Sequence, residues 1–220
     1  MKRLALGMLG GLAAAALVIP TAGSSPSGER TWDVTITNLT PPGSQPLSPP
    51  LFVVHSSKAD IWSVGDIATH PVAAIAEDAD NGPAESAFVQ LPGVNDVFTG
   101  AGGPIPPGAT RTYAVEASGQ FDRLSVLMML VNTNDGFTGL DSEHLRGRGG
   151  TRSVMAYDAG SEVNNELTGF IPGPCCNHPF VRDPEGELIR MHEGITGRGD
   201  LSPGIYGWSG PVARIQVSRG

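Results

Sequence analysis

The chain has 220 residues and is acidic, with 14 Lys and Arg against 22 Asp and Glu and a formal net charge of −8. This balance argues against binding to nucleic-acid backbones, which requires clustered basic side chains. It is compatible with binding hard cations such as calcium, which prefer carboxylate oxygens.

The N-terminus has the three-part pattern of a secretory signal peptide. A basic start is followed by a mostly apolar run over residues 4–19 and then by small residues. We predict a signal peptide over residues 1–23, with cleavage after Ala22 or Gly23. The apolar run is shorter than the ~20 residues of a spanning helix. No later segment is long and apolar enough, so we expect no spanning segment in the mature chain.

Removal of this peptide defines the mature protein. Residues 24–29 are expected to be a flexible lead-in, and residues 30–220 to form one domain. Without Lys2 and Arg3, 12 basic residues face 22 acidic ones, a formal charge of −10. We expect an exported protein that is secreted, periplasmic or at the cell surface, and that binds no nucleic acid.

The first half of the domain predicts two strands and one helix. Apolar residues alternate with polar ones over 30–39, which is typical of a half-buried strand. The apolar run 51–55 predicts a buried strand. The segment 65–80 holds the best helical pattern, and 87–91 predicts a short extended piece.

The second half predicts further strands. The segments 110–117 and 124–131 are strong candidates, and the second is apolar at all but one position, which places it in the middle of the core. A short strand is predicted over 154–157 and a last one over 212–217. Short strands separated by turns rich in Gly and Pro, with one modest helix, predict an all-β antiparallel β-sandwich.

The two cysteines, Cys175 and Cys176, are adjacent. Neighbouring cysteines cannot link distant parts of a fold, so the domain must depend on its hydrophobic core. In an oxidising compartment they could form a vicinal disulfide or pair between chains. Two unpaired thiols in a Gly/Pro loop are the third alternative.

The segment 131–142 follows directly on the most buried predicted strand and is rich in Asn, Asp and Gly. These residues favour turns for backbone reasons alone, which predicts an exposed turn. They also suit a cation site, because a rigid strand would anchor the carboxylates while glycine lets carbonyl oxygens turn inward. Composition leaves both interpretations open.

Two ordered motifs carry a resemblance to a known family. Residues 135–142 (Asp-Gly-Phe-Thr-Gly-Leu-Asp-Ser) are similar to the Asp-Trp-Phe-x-Gly-x-Asp-Ser signature of the spondin domain, the module found in F-spondin and mindin. Residues 157–162 (Tyr-Asp-Ala-Gly-Ser-Glu) resemble its Tyr-Asp-Ala-Gly-Thr-Asp/Glu element. Shorter likenesses at 55–57, 76–78 and 211–215 extend the resemblance over nearly the whole mature chain.

The resemblance implies a fold and a function. The implied fold is an eight-stranded antiparallel β-sandwich, similar to the calcium-dependent membrane-binding sandwiches, with one calcium ion at one end. The implied function is a secreted or surface-associated adhesion and recognition module without catalytic activity. Its partner would be an extracellular protein or glycan.

The resemblance also implies the metal ligands by position. They are Glu116, Asp135 and Asp158, three carboxylates that would repel one another strongly unless a divalent cation lay between them. Asp141 is either a fourth ligand or a residue that holds the loop. Glu162 and Asn164 are weaker candidates.

Departures from the family pattern leave other functions open. Gly136 stands where the animal proteins have Trp, and their thrombospondin-type repeats and paired cysteines are absent. The alternatives are a calcium-dependent extracellular hydrolase, for which no nucleophile or acid–base pair is evident, and a purely structural envelope protein. The tripeptide Arg198-Gly199-Asp200 matches the integrin motif, but so short a match does not establish a role.

Overall fold

The structure, a computed structural model, describes residues 28–220. The predicted signal peptide (residues 1–23) and most of the lead-in lie outside the described residues. Over 28–220 the chain forms ten β-strands and three short α-helices. The strands are β1 (Glu29–Asn38), β2 (Leu51–His55), β3 (Val94–Thr99), β4 (Thr110–Ser118), β5 (Arg123–Met129), β6 (Gly136–His144), β7 (Gly149–Val154), β8 (Tyr157–Asp158), β9 (Arg190–Met191) and β10 (Ala213–Arg219). The helices are α1 (His70–Asp78), α2 (Gly82–Phe88) and α3 (Pro203–Tyr206).

The strands form two antiparallel sheets. One has four strands in the order β4-β1-β10-β7, and the other has six in the order β3-β2-β5-β6-β8-β9. The all-β sandwich prediction is therefore confirmed. The expected number of eight strands was wrong for the described residues, because two-residue strands β8 and β9 extend one edge of the larger sheet.

The main core lies between the two sheets. In β1, Trp32, Val34 and Ile36 are buried while the residues between them are more exposed, as the alternation of a strand requires. From the other sheet, Phe52 and Val126 belong to the same core. These side chains supply most of the hydrophobic stabilisation of the fold.

A second apolar layer covers the outer face of the six-stranded sheet. Helices α1 and α2 pack there, and Ile75 and Phe88 contribute to a cluster with Leu51, Leu127 and Phe137. Since both faces of β2 and β5 are covered, these strands are apolar almost throughout. Sequence alone predicted one helix for this region, and the structure has two.

Several boundaries differ from the sequence predictions. The segment 87–91 was expected to be extended, but it contains the end of α2 and a turn. The segment 154–157 is not one strand, since β7 ends at Val154 and β8 begins at Tyr157. The expected loop over 131–142 is a tight turn followed by strand β6, and β3 was not predicted.

The sandwich places the candidate site beside the paired strands β6 and β8. Gly136 pairs with Asp158, and Asp158 pairs with Arg190 of β9. The turn between β5 and β6, the segment after β8 and strand β9 therefore meet in one region. None of the helices in residues 28–220 has the length and apolar character to cross a membrane.

Candidate metal centre

Asp135 is held by the turn that joins β5 to β6. The hydroxyl of Thr133 donates to Leu130 O at 2.6 Å and accepts the N–H of Gly136 at 2.9 Å. Such a hydroxyl-closed turn fixes the backbone between these residues. Asp135 has 0% of its surface exposed, so its carboxylate points into the protein.

One carboxylate oxygen of Asp135 organises the segment after β8. Asp135 Oδ2 accepts the N–H groups of Ser161 at 2.8 Å and Glu162 at 3.0 Å. The other oxygen, Oδ1, is buried and has no hydrogen-bond partner. A buried acceptor without a donor lowers the stability of the folded protein, and it does so more strongly when the group is charged.

Asp158 lies beside Asp135 and has partners on both oxygens. Its Oδ1 accepts the N–H of Gly160 at 2.7 Å. Its Oδ2 accepts the amide N–H of Asn164 at 2.6 Å and lies 2.8 Å from Nη2 of Arg190. Asp158 is 2% exposed, so this ion pair is partly removed from solvent.

The two carboxylates influence each other's protonation. Burial, and next the charge of Asp158, raise the pKa of Asp135 to about 7. Burial also raises the pKa of Asp158, although the Gly160 N–H and the Arg190 guanidinium act in the opposite direction. Since Arg190 pairs with Asp158 and not with Asp135, the two buried acids leave a surplus of negative charge whenever both are ionised.

Glu116 is not brought to this pair. It is exposed on β4, between the buried residues Val115 and Ala117, and so faces the solvent on the outside of the four-stranded sheet. Asp135 and Asp158 belong to the six-stranded sheet. Of the three ligands implied by the family resemblance, the structure brings together two.

Asp141 is also separate from the pair. It lies six residues beyond Asp135 along β6, about 20 Å at ~3.3 Å per residue. Its Oδ2 accepts a hydrogen bond from the hydroxyl of Ser63 at 3.1 Å. Asp141 therefore contacts the segment that carries Ser63 rather than the Asp135–Asp158 pair.

Glu162 points its carboxylate toward a different cation. It is 1% exposed, and its Oε1 lies 3.4 Å from Nε of Arg182. The same Arg182 pairs with Glu77 and Asp78 of helix α1. Burial, and next the charge of Glu77, raise the pKa of Glu162 to about 8. Sequence reasoning missed Arg182 and Arg190, because these pairings join segments that are far apart in the chain.

The departure at Gly136 has a structural reason. A Cβ atom at this position would lie 2.6 Å from Thr133 Oγ1 and 3.0 Å from His192 Cδ2. The ring of His192 packs against Trp208 at a centroid distance of 5.2 Å. The space beside Gly136 is thus filled by Thr133 and His192.

Three further motifs have structural explanations. Cys175 and Cys176 form a vicinal disulfide, which settles the alternatives left open by the sequence. His55 is fully buried, and its Nε2 lies 2.9 Å from the hydroxyl of Ser125. This bond satisfies the hydrogen-bonding capacity of Nε2 in the buried ring.

The Arg198-Gly199-Asp200 segment is tied to the protein at both charged residues. Arg198 pairs with Glu193, and the carboxylate of Asp200 accepts the N–H of Thr168 at 3.0 Å. A Cβ at Gly199 would lie 2.3 Å from Asn165 O. Arg198 and Asp200 are nevertheless exposed, so these contacts fix the position of the segment without burying it.

Over residues 28–220, no three His, Cys, Asp or Glu side chains gather closely enough to chelate a metal by themselves. No protein-family model matches the chain, and no curated protein shows a significant match. The spondin resemblance therefore depends on the sequence motifs.

Proposed function

We propose that the protein is an exported, non-catalytic recognition module of the spondin type that binds one calcium ion at Asp135 and Asp158. The observation that carries the proposal is the buried, unpartnered Oδ1 of Asp135 beside a second buried carboxylate. The family resemblance assigns the same two residues to calcium. The partner would be an extracellular protein or glycan bound near this end of the sandwich.

The donor set suits calcium in its chemistry. Calcium takes six to eight oxygen ligands, tolerates irregular geometry and accepts carbonyl, amide and water oxygens besides carboxylates. Two carboxylates, with backbone and water oxygens, are enough to begin such a site. A chelate made of three acidic side chains is not needed, and Glu116 has no part in this proposal.

Charge balance supports a cation at this position. Asp158 pairs with Arg190, whose guanidinium also lies 3.1 Å from Glu185 and 3.9 Å from Glu187, while Asp135 has no basic partner among the described residues. Three carboxylates thus face one Arg. When bound, calcium supplies the missing positive charge and links the carboxylates that it contacts.

The role of the chain's own residues is to order this end of the sandwich. Asp135 fixes the segment after β8 through the N–H groups of Ser161 and Glu162. Asp158 connects β8 to β9 through Arg190. An ion held by these two residues would stabilise three segments at once and set the shape of the surface that they form.

The calcium site is tested by thermal unfolding of the mature protein in calcium and in chelator. Saturating calcium at one hundred times Kd should add ~2.7 kcal/mol of stability. Asp135→Asn should abolish this gain, while Asp96→Asn, an equal charge change on exposed strand β3, should retain it. An equal gain in the wild type and in Asp135→Asn would refute the assignment.

The recognition role is tested on arrays of extracellular-matrix proteins and glycans. The wild type should bind a defined subset in calcium and lose it in chelator, and Asp135→Asn should bind weakly in both. Binding that changes neither on removal of calcium nor in Asp135→Asn would show that recognition does not depend on this site. Absence of any binding would favour a structural envelope role.

A further inference from the structure

A second charged site lies on the far side of Glu162. A pocket of about 440 Å³ opens between helix α1 and the segment 180–184. Its polar lining consists mainly of His70, Glu77, Asp78, Asp80 and Arg182, and its apolar lining includes Phe180. Three carboxylates therefore line the pocket against one guanidinium.

One basic side chain of the protein itself, that of Arg182, already pairs with the carboxylates of this pocket. Arg182 Nε lies 2.5 Å from Glu77 Oε2 and 3.4 Å from Glu162 Oε1, and its Nη2 pairs with Asp78. Carboxylates from α1 and from the segment after β8 thus converge on one guanidinium. A planar guanidinium with several donors satisfies such a group better than a point charge does.

Negative charge remains after Arg182 is paired. The buried Glu162, whose Oε1 lies 3.4 Å from Nε of Arg182, is not part of the pocket lining. Asp80, at the rim, is exposed and uses Oδ1 to accept the N–H of Gly82 at 3.0 Å. Of the three carboxylates that line the pocket, Glu77 and Asp78 pair with Arg182, and Asp80 has no salt bridge among the described residues.

Phe180 adds an aromatic surface that is fixed in place. Its side chain is 72% exposed, although a large apolar residue is usually buried. Its backbone has φ +64°, a conformation that bulky residues rarely adopt. The N–H of Phe180 donates to Asp78 Oδ1 at 2.9 Å, so the carboxylate that pairs with Arg182 also holds the ring at the pocket mouth.

We propose that this pocket receives a Lys or Arg side chain of a protein partner. Surplus carboxylates supply the charge complementarity, and the exposed ring of Phe180 supplies a face for the cation. The pocket is large enough to take one side chain beside Arg182. The inference rests on the proposal that the protein is a recognition module, and it names the chemistry of the partner, but it does not require calcium.

The direct test uses short acetylated and amidated peptides that carry one Lys, one Arg or one norleucine at the central position. Binding is followed by the backbone amide NMR shifts of Ala73, Asp80 and Phe180, in calcium and in chelator. The Lys and Arg peptides should bind saturably at millimolar concentration, and norleucine, which lacks the charge, should not. Equal binding of norleucine, or no binding of the basic peptides, would overturn the proposal.

Matched variants locate the binding in the pocket. Asp80→Asn and Phe180→Ala should each lower the affinity for the Lys peptide by about 2- to 5-fold, the range of an exposed ion pair or cation–π contact. Two control variants lie outside the pocket lining: Asp96→Asn removes an equal charge, and Val181→Ala shortens the apolar residue next to Phe180. Neither should change the affinity for the Lys peptide. Wild-type affinity in both pocket variants would refute the assignment.

The same variants distinguish the proposed calcium site from the proposed pocket for a basic side chain. Asp135→Asn should lose the calcium effect and keep peptide binding, while Asp80→Asn should keep the calcium effect and lose affinity for the peptide. Loss of peptide binding in Asp135→Asn, with Asp80→Asn unaffected, would place the basic ligand at the metal centre and contradict the inference.

Discussion

The carboxylates of Asp135 and Asp158 differ in how many of their oxygens have a hydrogen-bond donor. Both oxygens of Asp158 have donors, one of them the guanidinium of Arg190, whereas Oδ1 of Asp135 is buried without any. A buried carboxylate that keeps one bare oxygen is destabilising unless it is protonated or meets a cation. We therefore expect the two acids to make the stability of the protein depend on pH and, if the proposed site is correct, on calcium.

The variant Asp135→Asn should separate the effect of calcium on stability from the effect of the unpartnered buried charge. In chelator at pH 8, the variant should be more stable than the wild type by about 1–3 kcal/mol, because it removes an unpartnered buried charge. Calcium at one hundred times Kd should shift this difference by ~2.7 kcal/mol in favour of the wild type, because the variant gains nothing from the ion. Chemical denaturation at fixed pH measures both, and a variant less stable than the wild type in chelator would contradict the argument.

The pH dependence of the calcium-free protein has a predicted sign. The pKa of Glu162 is raised from 4.5 to about 8 and that of Asp135 from 3.8 to about 7. A raised carboxyl pKa gives stability that is complete below the unfolded pKa and is lost as the pH rises through the folded pKa. Stability in chelator should therefore decrease between pH 6.5 and 8.

Below pH 6.5, the histidines contribute a pH dependence of stability that has the opposite sign. Burial lowers the pKa of His192 from 6.5 to about 4, and burial also lowers the pKa of His55. Buried neutral histidines make stability rise with pH up to about 6.5, where they cease to titrate in the unfolded chain. Glu162→Gln should make the slope of stability against pH less negative over the whole interval from about pH 4.5 to 8, in which Glu162 holds a proton in the folded chain but not in the unfolded one. An unchanged slope in this variant would show that other groups cause the decrease.

The sequence predicted the strands that have a clear period. Strands β1 and β4 alternate, and β2 and β5 are continuous apolar runs, so each was placed within a few residues. Strand β6 was read as a loop because its glycines are typical of turns. In the structure a Cβ at Gly139 would lie 1.7 Å from Val126 O, so this glycine permits close pairing with β5.

The site was predictable only in part. The two motifs that contain Asp135 and Asp158 do meet, through the pairing of Gly136 with Asp158. Strand alternation could have placed Glu116 on the outside, since Val115 and Ala117 flank it. The pairing of Arg190 with Asp158 depends on a short edge strand that no local pattern marks.

Gly136→Ala should destabilise the site directly. The new methyl group would lie 2.6 Å from Thr133 Oγ1 and 3.0 Å from His192 Cδ2, so the turn before β6 would have to move. We expect a loss of about 1–3 kcal/mol in denaturation experiments, together with weaker calcium binding. Gly169→Ala is the control, since a Cβ there meets nothing within 4 Å; an equal loss in both variants would remove the steric explanation.

Glu166 should be the main support of the segment that contains the Arg198-Gly199-Asp200 tripeptide. It is 3% exposed, and its carboxylate accepts the N–H groups of Thr196 at 2.6 Å, Gly197 at 2.7 Å and Arg198 at 3.0 Å. Burial acts to raise the pKa of Glu166, but these donors outweigh it and the pKa is lowered. A lowered carboxyl pKa gives stability above the unfolded pKa that is lost as the pH falls through the folded value.

Glu166→Gln should therefore cost about 1.5–3 kcal/mol, because an amide nitrogen would face N–H donors where an anion accepted them. Limited trypsin digestion should then cut after Arg198 faster than in the wild type. Glu193→Gln, which removes only a half-exposed partner of Arg198, should cost less than about 1 kcal/mol. If both variants exposed Arg198 equally, the surface ion pair rather than the buried carboxylate would be what holds this segment.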